Sequence, residues 1–263
     1  MNDAHITVLG GRGSIPVSGP DFVRYGGNTS CFAIVVGGKA VAFIDAGTGL
    51  AAYRSYGIEL APQVAIFLTH YHWDHIQGLS MLDELWRGAC DVCVWGPADP
   101  REVLVRAIAP PVFPVSIDEA AVRFASVSDP VEVEGFTVTA FPINHPQGAV
   151  GYKVQGPNRS IAIVTDHESG TAIDDGIREA IAGVDVLVHD AQYLPSEVES
   201  HAGWGHSTYE DAIAMARSVG VSELILTSHD PARSDRTIDS MMSHVRTEFE
   251  ASLGAGQGLE VSL

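Results

Sequence analysis

The chain has 263 residues, 46% of them hydrophobic, enough for one good-sized core and compatible with one four-layer domain or two small ones. Fifteen lysines and arginines face 33 aspartates and glutamates, a net charge of −18, and Lys39 and Lys153 are the only lysines. So acidic a surface repels polyanions at long range, which excludes extended RNA or DNA as the default partner but not a small anionic substrate held by bound cations.

The first residues, Met1-Asn2-Asp3-Ala4-His5, carry no basic region, and no run of about 18 apolar residues follows anywhere. A cytoplasmic protein without membrane attachment is predicted. Three cysteines, Cys31, Cys90 and Cys93, are too few and odd in number for a disulfide framework. Cys90 and Cys93 have C-x-x-C spacing, but they fall on a predicted strand, where residues three apart face opposite sides.

His5 to Leu9 reads as a first strand, running into the turn-rich Gly10-Gly11-Arg12-Gly13-Ser14. This run lacks the Lys-Ser/Thr ending of a phosphate-binding P-loop. It is either a structural turn or a place where backbone, Arg12 and Arg24 approach an anionic group. Gly26 to Ser30 is a second turn. Cys31–Val36 and Val41–Ile44 form a predicted hairpin that ends on Asp45, either a helix cap or a carboxylate holding a ligand histidine from behind. A short helix is predicted over Leu50–Tyr56.

The apolar run Val64 to Leu68 has strand length and leads into Thr69-His70-Tyr71-His72-Trp73-Asp74-His75. Four metal-capable side chains within six residues, behind a buried strand, suit a sharp turn that converges nitrogens and carboxylate oxygens on a cation. Asp74 stands where a helix would start, and that helix is predicted to continue through Ile76 and Leu79 toward Trp86. A strand over Asp91–Trp95 and a helix over Arg101–Ile108 follow. The Pro110–Pro114 loop is then a mobile lid or, as favoured here, a segment packed across the surface.

Strands over Val122–Val127, Val131–Val133 and Phe136–Ile143 come next, the last closing on Asn144-His145-Pro146. Val150–Gln155 and Ser160–Val164 form a hairpin closing on Asp166. Val184–Val188 closes on His189-Asp190, and Leu224–Leu226 on Ser228-His229-Asp230. Helices are predicted over Thr171–Ala182, Ser207–Val219 and Ser234–Phe249. The second would be capped by a box of Ser207 and Glu210. A loose turn at residues 254–258 precedes a last short strand. Strand after strand thus ends in His or Asp. If these ends share one rim, His70, His145, Asp166, Asp190 and His229 meet. The alternation of strands and helices predicts an α/β fold of one domain spanning residues 1–263, with two sheets face to face and helices outside.

The H-x-H-x-D-H spacing resembles the signature of the metallo-β-lactamase superfamily, and with the later strand ends the resemblance covers nearly the whole chain. It implies the four-layer αββα fold and two divalent metal ions. By this resemblance His70, His72 and His145 would hold the first, Asp74, His75 and His229 the second, and Asp166 would bridge them. The ligand chemistry favours zinc and tolerates manganese or iron. His189-Asp190-Ala191-Gln192-Tyr193 followed by Gly205-His206-Ser207-Thr208 resembles the ribonuclease Z branch. There His206 would contact the phosphate or leaving group, with Asp190 supporting it. A cap-neighbour role for His206 competes. His5, His167, His201 and His244 match no ligand position and are read as ordinary polar residues.

Two departures narrow the resemblance. His145 and Asp166 are 21 positions apart, too few for the tRNA-binding arm many ribonuclease Z proteins insert there. Asp166 also stands where class B β-lactamases use other ligands. What remains resembles arm-less relatives that hydrolyse cyclic nucleotides or other phosphodiesters, with homodimers an implication of the same resemblance. The mechanism implied is attack by a metal-bridging hydroxide, oriented by Asp74, with His206 protonating the leaving alkoxide. A lactonase or thioesterase with Tyr193 as oxyanion donor is the alternative. A non-enzymatic metal or nucleotide sensor is the third reading.

Overall fold

The computed structural model describes residues 4–263. The leader prediction made on Met1–Asp3 lies outside the described residues. No helix among the described residues is long and apolar enough to cross a membrane.

In chain order, the first sheet is built from β1 (Ala4–Gly10), β2 (Cys31–Val36), β3 (Lys39–Ile44), β4 (Glu59–Phe67), β5 (Asp91–Gly96) and β6 (Val122–Ser126). The second takes β7 (Val131–Val133), β8 (Phe136–Ile143), β9 (Ala149–Gln155), β10 (Ser160–Val164), β11 (Val186–Asp190), β12 (Glu223–Thr227) and β13 (Ser252–Gly254). The chain then returns to the first sheet as β14 (Glu260–Ser262), pairing with β1. The spatial orders are β14-β1-β2-β3-β4-β5-β6 and β13-β12-β11-β10-β9-β8-β7.

Each sheet is antiparallel at one side and parallel at the other. β3, β4, β5 and β6 run parallel, as do β10, β11, β12 and β13. β8 and β10 are both antiparallel to β9, so they run the same way. The carboxyl ends of β8, β10, β11 and β12 therefore lie on one rim, and those of β3 and β4 on one rim of the facing sheet. This is the convergence that the repeated His or Asp at strand ends predicts.

The core is layered accordingly. Ile6, Phe32, Ile34, Ile44, Phe67, Tyr152, Ile161, Val188 and Ile225 fill the space between the sheets. The outer face of the first sheet is covered by Leu50, Ile76, Leu79, Leu85 and Leu104, and that of the second by helices. Those helices are α4 (Ile173–Ala180), α5 (Tyr209–Val219) and α6 (Asp235–Glu248), following the short α1 (Trp73–Ile76), α2 (Asp83–Arg87) and α3 (Pro100–Ala107). On α6, Ile238, Met241, Met242 and Val245 are buried, spaced as one helical face requires.

Three sequence readings need correction. The helix after the metal motif does not continue to Trp86. It breaks into α1, a 3-10 turn over Gln77–Met81, and α2. The cause is tertiary: Gly78 N–H donates to Ala46 O, and a Cβ on Gly78 would stand 2.1 Å from Gly47 O. Secondly, the box capping α5 lies one residue later, Thr208 with Asp211. Ser207 instead donates to His167 O at 2.5 Å. Thirdly, β13 forms between the predicted helix end at Phe249 and the predicted turn that starts at Gly254, where no strand is predicted.

The Pro110–Pro114 loop packs on the helical layer, with Phe113 stacked on Trp86 at 5.6 Å between ring centres. The three cysteines are free, and Cys31 and Cys93 are buried.

Candidate metal centre

Asp45 and Ser228 follow β3 and β12 directly and Asp166 follows β10 after Thr165, and each has a left-handed backbone (φ 61°, 55° and 51°). Such backbone is uncommon for non-glycine residues and clusters where function demands it. Here it turns three polar side chains toward the space between the rims.

Asp45 organises the motif loop from below. It is fully buried and accepts from Thr69 N–H and Thr69 Oγ1 at 2.9 Å each, from Ser30 Oγ at 2.8 Å and from His75 Nδ1 at 2.7 Å. The backbone thus enters the His70–His75 turn already fixed. Of the two readings open in the sequence, the histidine-holding one is what Asp45 does. Asp74 caps nothing: the N-cap of α1 is His72, and no side chain serves there.

Besides His75, three histidines have their outer ring nitrogen engaged. His70 Nδ1 meets Thr69 Oγ1 at 3.0 Å, and that hydroxyl's own proton goes to Asp45. His72 Nε2 meets Gln147 Oε1 at 2.9 Å, and His145 Nδ1 meets Gly205 O at 2.9 Å. Each partner is an acceptor, so each outer nitrogen carries the proton and the inner nitrogen turns a lone pair inward. The approach at Gly205 requires glycine, since a Cβ there would lie 2.1 Å from His145 Nδ1.

The inner atoms crowd together. His145 Nε2 and His72 Nδ1 are 3.1 Å apart, lone pair against lone pair. His75 Nε2 lies 3.1 Å from Asp166 Oδ2 and 3.3 Å from Asp74 Oδ2. His70, His72 and His145 form one group whose ligand-type atoms all lie within 4.8 Å of one another, and His70, His75 and Asp166 form another. His70 Nε2, Asp74 Oδ2 and both ring nitrogens of His229 are buried without hydrogen-bond partners. Unpartnered buried polar atoms are costly, and converging lone pairs repel unless a cation lies among them. This donor set therefore fits metal ions. His229 is buried beside Ser228, which donates to Asp166 Oδ1 at 3.1 Å, but it joins none of the groups with all ligand atoms within 4.8 Å.

The electrostatics agree. Burial would lower the pKa of His75, but Asp45, Asp166 and Asp74 raise it well above the usual range. Burial would raise Asp166, yet His75, His206 and His70 hold it well below. Burial and His75 push His70 well down, and burial with Arg12 takes His229 to about 3. Neutral His70 and His229 and an ionised Asp166 are forms that bind metals, whereas His75, held protonated by its three carboxylates, would release a proton to a cation.

A third group joins Asp166, Asp190 and His206 within the same distance. Asp190 has no exposed surface. Its Oδ2 holds His206 Nδ1 at 2.6 Å, and its Oδ1 accepts from Gln192 N–H and Ser207 N–H at 3.0 Å each. Burial opposes the charge on His206, but Asp190 and Asp166 raise its pKa to about 9. The His206 ring meets His145 and Tyr193 edge-on at 5.5 and 5.6 Å. Burial pushes the Tyr193 phenol up to about 12.

Arg12 is not an anion receptor. It is 1% exposed, and its guanidinium donates to Gly26 O at 2.8 Å and Arg233 O at 2.7 Å, tying loops together. Arg24 pairs with Asp239 on the surface. Of the histidines read as ordinary polar residues, His167 is fully buried, with Nδ1 accepting from Asn144 N–H at 3.1 Å. The sequence reading missed four supports. Thr69 and Gln147 hold His70 and His72. Glu168 accepts from Gly203 and Gly205 N–H at 2.8 Å each and fixes the loop behind His145 and His206. Ser228 touches Asp166. Each is a direct chain neighbour of a candidate ligand or lies two positions from one, and that adjacency is the signal that could have found them.

Comparison with known proteins accords with this geometry. The family model described as Beta-lactamase superfamily domain matches residues 42–229, and the chain belongs to that family of metal-dependent hydrolases. Ribonuclease Z of Mycobacterium bovis (strain BCG / Pasteur 1173P2) is 25% identical over 282 residues, covering 97% of this chain and 96% of that protein. The metallo-beta-lactamase fold protein YhfI from Bacillus subtilis superposes with a TM-score of 0.75 at 17% identity over 100% of both chains. A diphosphatase of the PhnP family gives 0.73 at 21% identity, covering 100% of this chain and 98% of that one. The last two likenesses show the shared four-layer fold.

Proposed function

We propose that this protein is a phosphodiesterase acting on a small phosphodiester with two divalent cations, zinc in the first instance. His70, His72 and His145 would hold one cation, Asp74, His75 and His229 the other, and Asp166 would lie between. Bound there, the cations would supply an ionised water at neutral pH and take up charge developing on the phosphoryl oxygens.

The chain's own residues do the rest. Asp45, Thr69, Gln147 and the Gly205 carbonyl keep the histidine lone pairs turned inward. Asp190 holds His206 Nδ1–H, so Nε2 is the atom that carries a proton to the departing alkoxide. The observation that carries this reading is the His206–Asp190 pair at 2.6 Å, set within 4.8 Å of Asp166.

Two features support a small substrate over tRNA, although a relative is named a ribonuclease. The hairpin β9–β10 fills the segment between His145 and Asp166, and the net charge is −18. The test is turnover by metal-loaded protein of bis(p-nitrophenyl) phosphate and 3′,5′-cyclic nucleotides, beside a lactone and a thioester. Turnover of both diesters lost with chelator, and cyclic-nucleotide turnover lost with His206→Ala, supports the reading; the p-nitrophenolate of the first leaves without a proton and should be less sensitive to His206. Turnover of the lactone or thioester alone overturns it.

A further inference from the structure

A cavity of about 580 Å³ opens beside the cluster, bounded by His70 and His72 on one side. Its walls come from two places: Tyr71, Pro97, Ala98 and Val103 around the start of α3, and Pro146 and Gln147 from the turn that bears His145. None of the other lining residues has a charged side chain. Most of the side-chain polar groups it has are already engaged, the Gln147 amide nitrogen being the donor left over. Gln147 Oε1 is taken by His72 Nε2 at 2.9 Å, and the Tyr71 hydroxyl donates to Pro97 O. A nucleobase edge or a ribose hydroxyl entering this space would exchange water for surfaces that return few hydrogen bonds, which sites selective for such groups do not do. Apolar atoms entering it would leave water with nothing lost.

We propose that this cavity seats an apolar alkyl or aryl arm on the retained side of the phosphodiester, so that the substrate class is a hydrophobic phosphodiester rather than a nucleotide. The proposal rests on the phosphodiesterase reading above. It assigns specificity to Val103, Ala98, Pro97 and Pro146, none of which touches the metal-facing atoms through a hydrogen bond. The cavity's contact with His70 and His72 places the arm next to the phosphoryl group without displacing a candidate ligand.

The test uses metal-loaded protein and p-nitrophenyl phosphate diesters that share one leaving group and differ only in the second alcohol: methyl, butyl and hexyl. The expected result is a rise in kcat/KM of about 2- to 4-fold per methylene, the range for partial to full burial of each, with 3′,5′-cyclic nucleotides slower than the hexyl ester. Val103→Asn should shrink the hexyl-to-methyl ratio by about 5-fold or more, on the same burial scale. Ala98→Asn is the second variant. Ala98 is exposed with φ 54°, a conformation asparagine adopts more readily than alanine, so folding is not at risk. A readout apart from turnover is calorimetric binding of monohexyl against monomethyl phosphate, where the longer chain should give the more negative heat-capacity change. Turnover of every diester with a flat series, or with cyclic nucleotides ahead of the hexyl ester, overturns the apolar arm and leaves the phosphodiesterase reading intact. No turnover of any diester overturns both.

Discussion

The two sides of the candidate centre are built differently. On the first sheet, one turn after β4 delivers His70, His72, Asp74 and His75, and a single buried carboxylate, Asp45, fixes the turn through three hydrogen bonds and is itself held by a fourth from Ser30. On the second sheet, His145, Asp166, Asp190, His206 and His229 arrive from separate strand ends and one loop. There the positioning is distributed among Gly205 O, Ser228, Glu168 and the backbone N–H groups on Asp190. The first side is concentrated and so exposed to a single substitution. The second is redundant, and its members should fail one at a time.

The largest expected effect follows from that concentration. Asp45→Ala would leave the buried Thr69 N–H, Thr69 Oγ1, Ser30 Oγ and His75 Nδ1 without an acceptor, a loss of about 3–5 kcal/mol of stability together with metal binding. Chemical denaturation and metal content would measure it. A loss below about 1 kcal/mol would mean that the two sides are equally distributed. On the second side, His206→Ala should lower turnover of diesters with an alkoxide leaving group about 10²–10⁴-fold while metal content stays that of the unmodified protein. Turnover within a few-fold would remove its proton-donor role.

Gln147→Ala tests a link between the sides, since Gln147 sits after His145 and holds His72 across the cleft. It should weaken one cation about 10- to 100-fold by metal titration and leave the other unchanged. Equal weakening of both would show that His72 is not confined to one metal. The smallest effect is expected at the cap of α5, two positions after His206. Thr208→Ala removes the side-chain acceptor that caps α5 and should cost about 1 kcal/mol. Ser207→Ala, the residue that sequence pattern alone marks as the cap, separates the two assignments by whether α5 loses helicity.

The same contrast explains what the sequence made legible. The first side was readable because its ligand-type residues are packed into six positions behind an apolar run. The second was readable only as a repeated habit of strands ending in His or Asp, and it became a site once β8, β10, β11 and β12 proved to point one way. The sequence leaves Arg12 between two readings because a glycine-rich loop looks the same whether its arginine faces a substrate or ties backbone carbonyls in the interior. The helix after His75 was drawn too long because Gly78 packs on Ala46 and Gly47, a contact 31 residues back for the Gly47 partner and invisible to local periodicity. Gln147 was missed because a turn residue beside a glycine carries no sign of what it will reach.

The central claim is that one cluster holds two cations with Asp166 between them. Metal content of the protein and of Asp166→Ala after loading with zinc and removal of excess, with circular dichroism to confirm the fold, tests it most directly. Two zinc ions per chain, falling to one or none in a folded Asp166→Ala, is the predicted result. Two ions retained without Asp166, or none held by the unmodified protein, would contradict it.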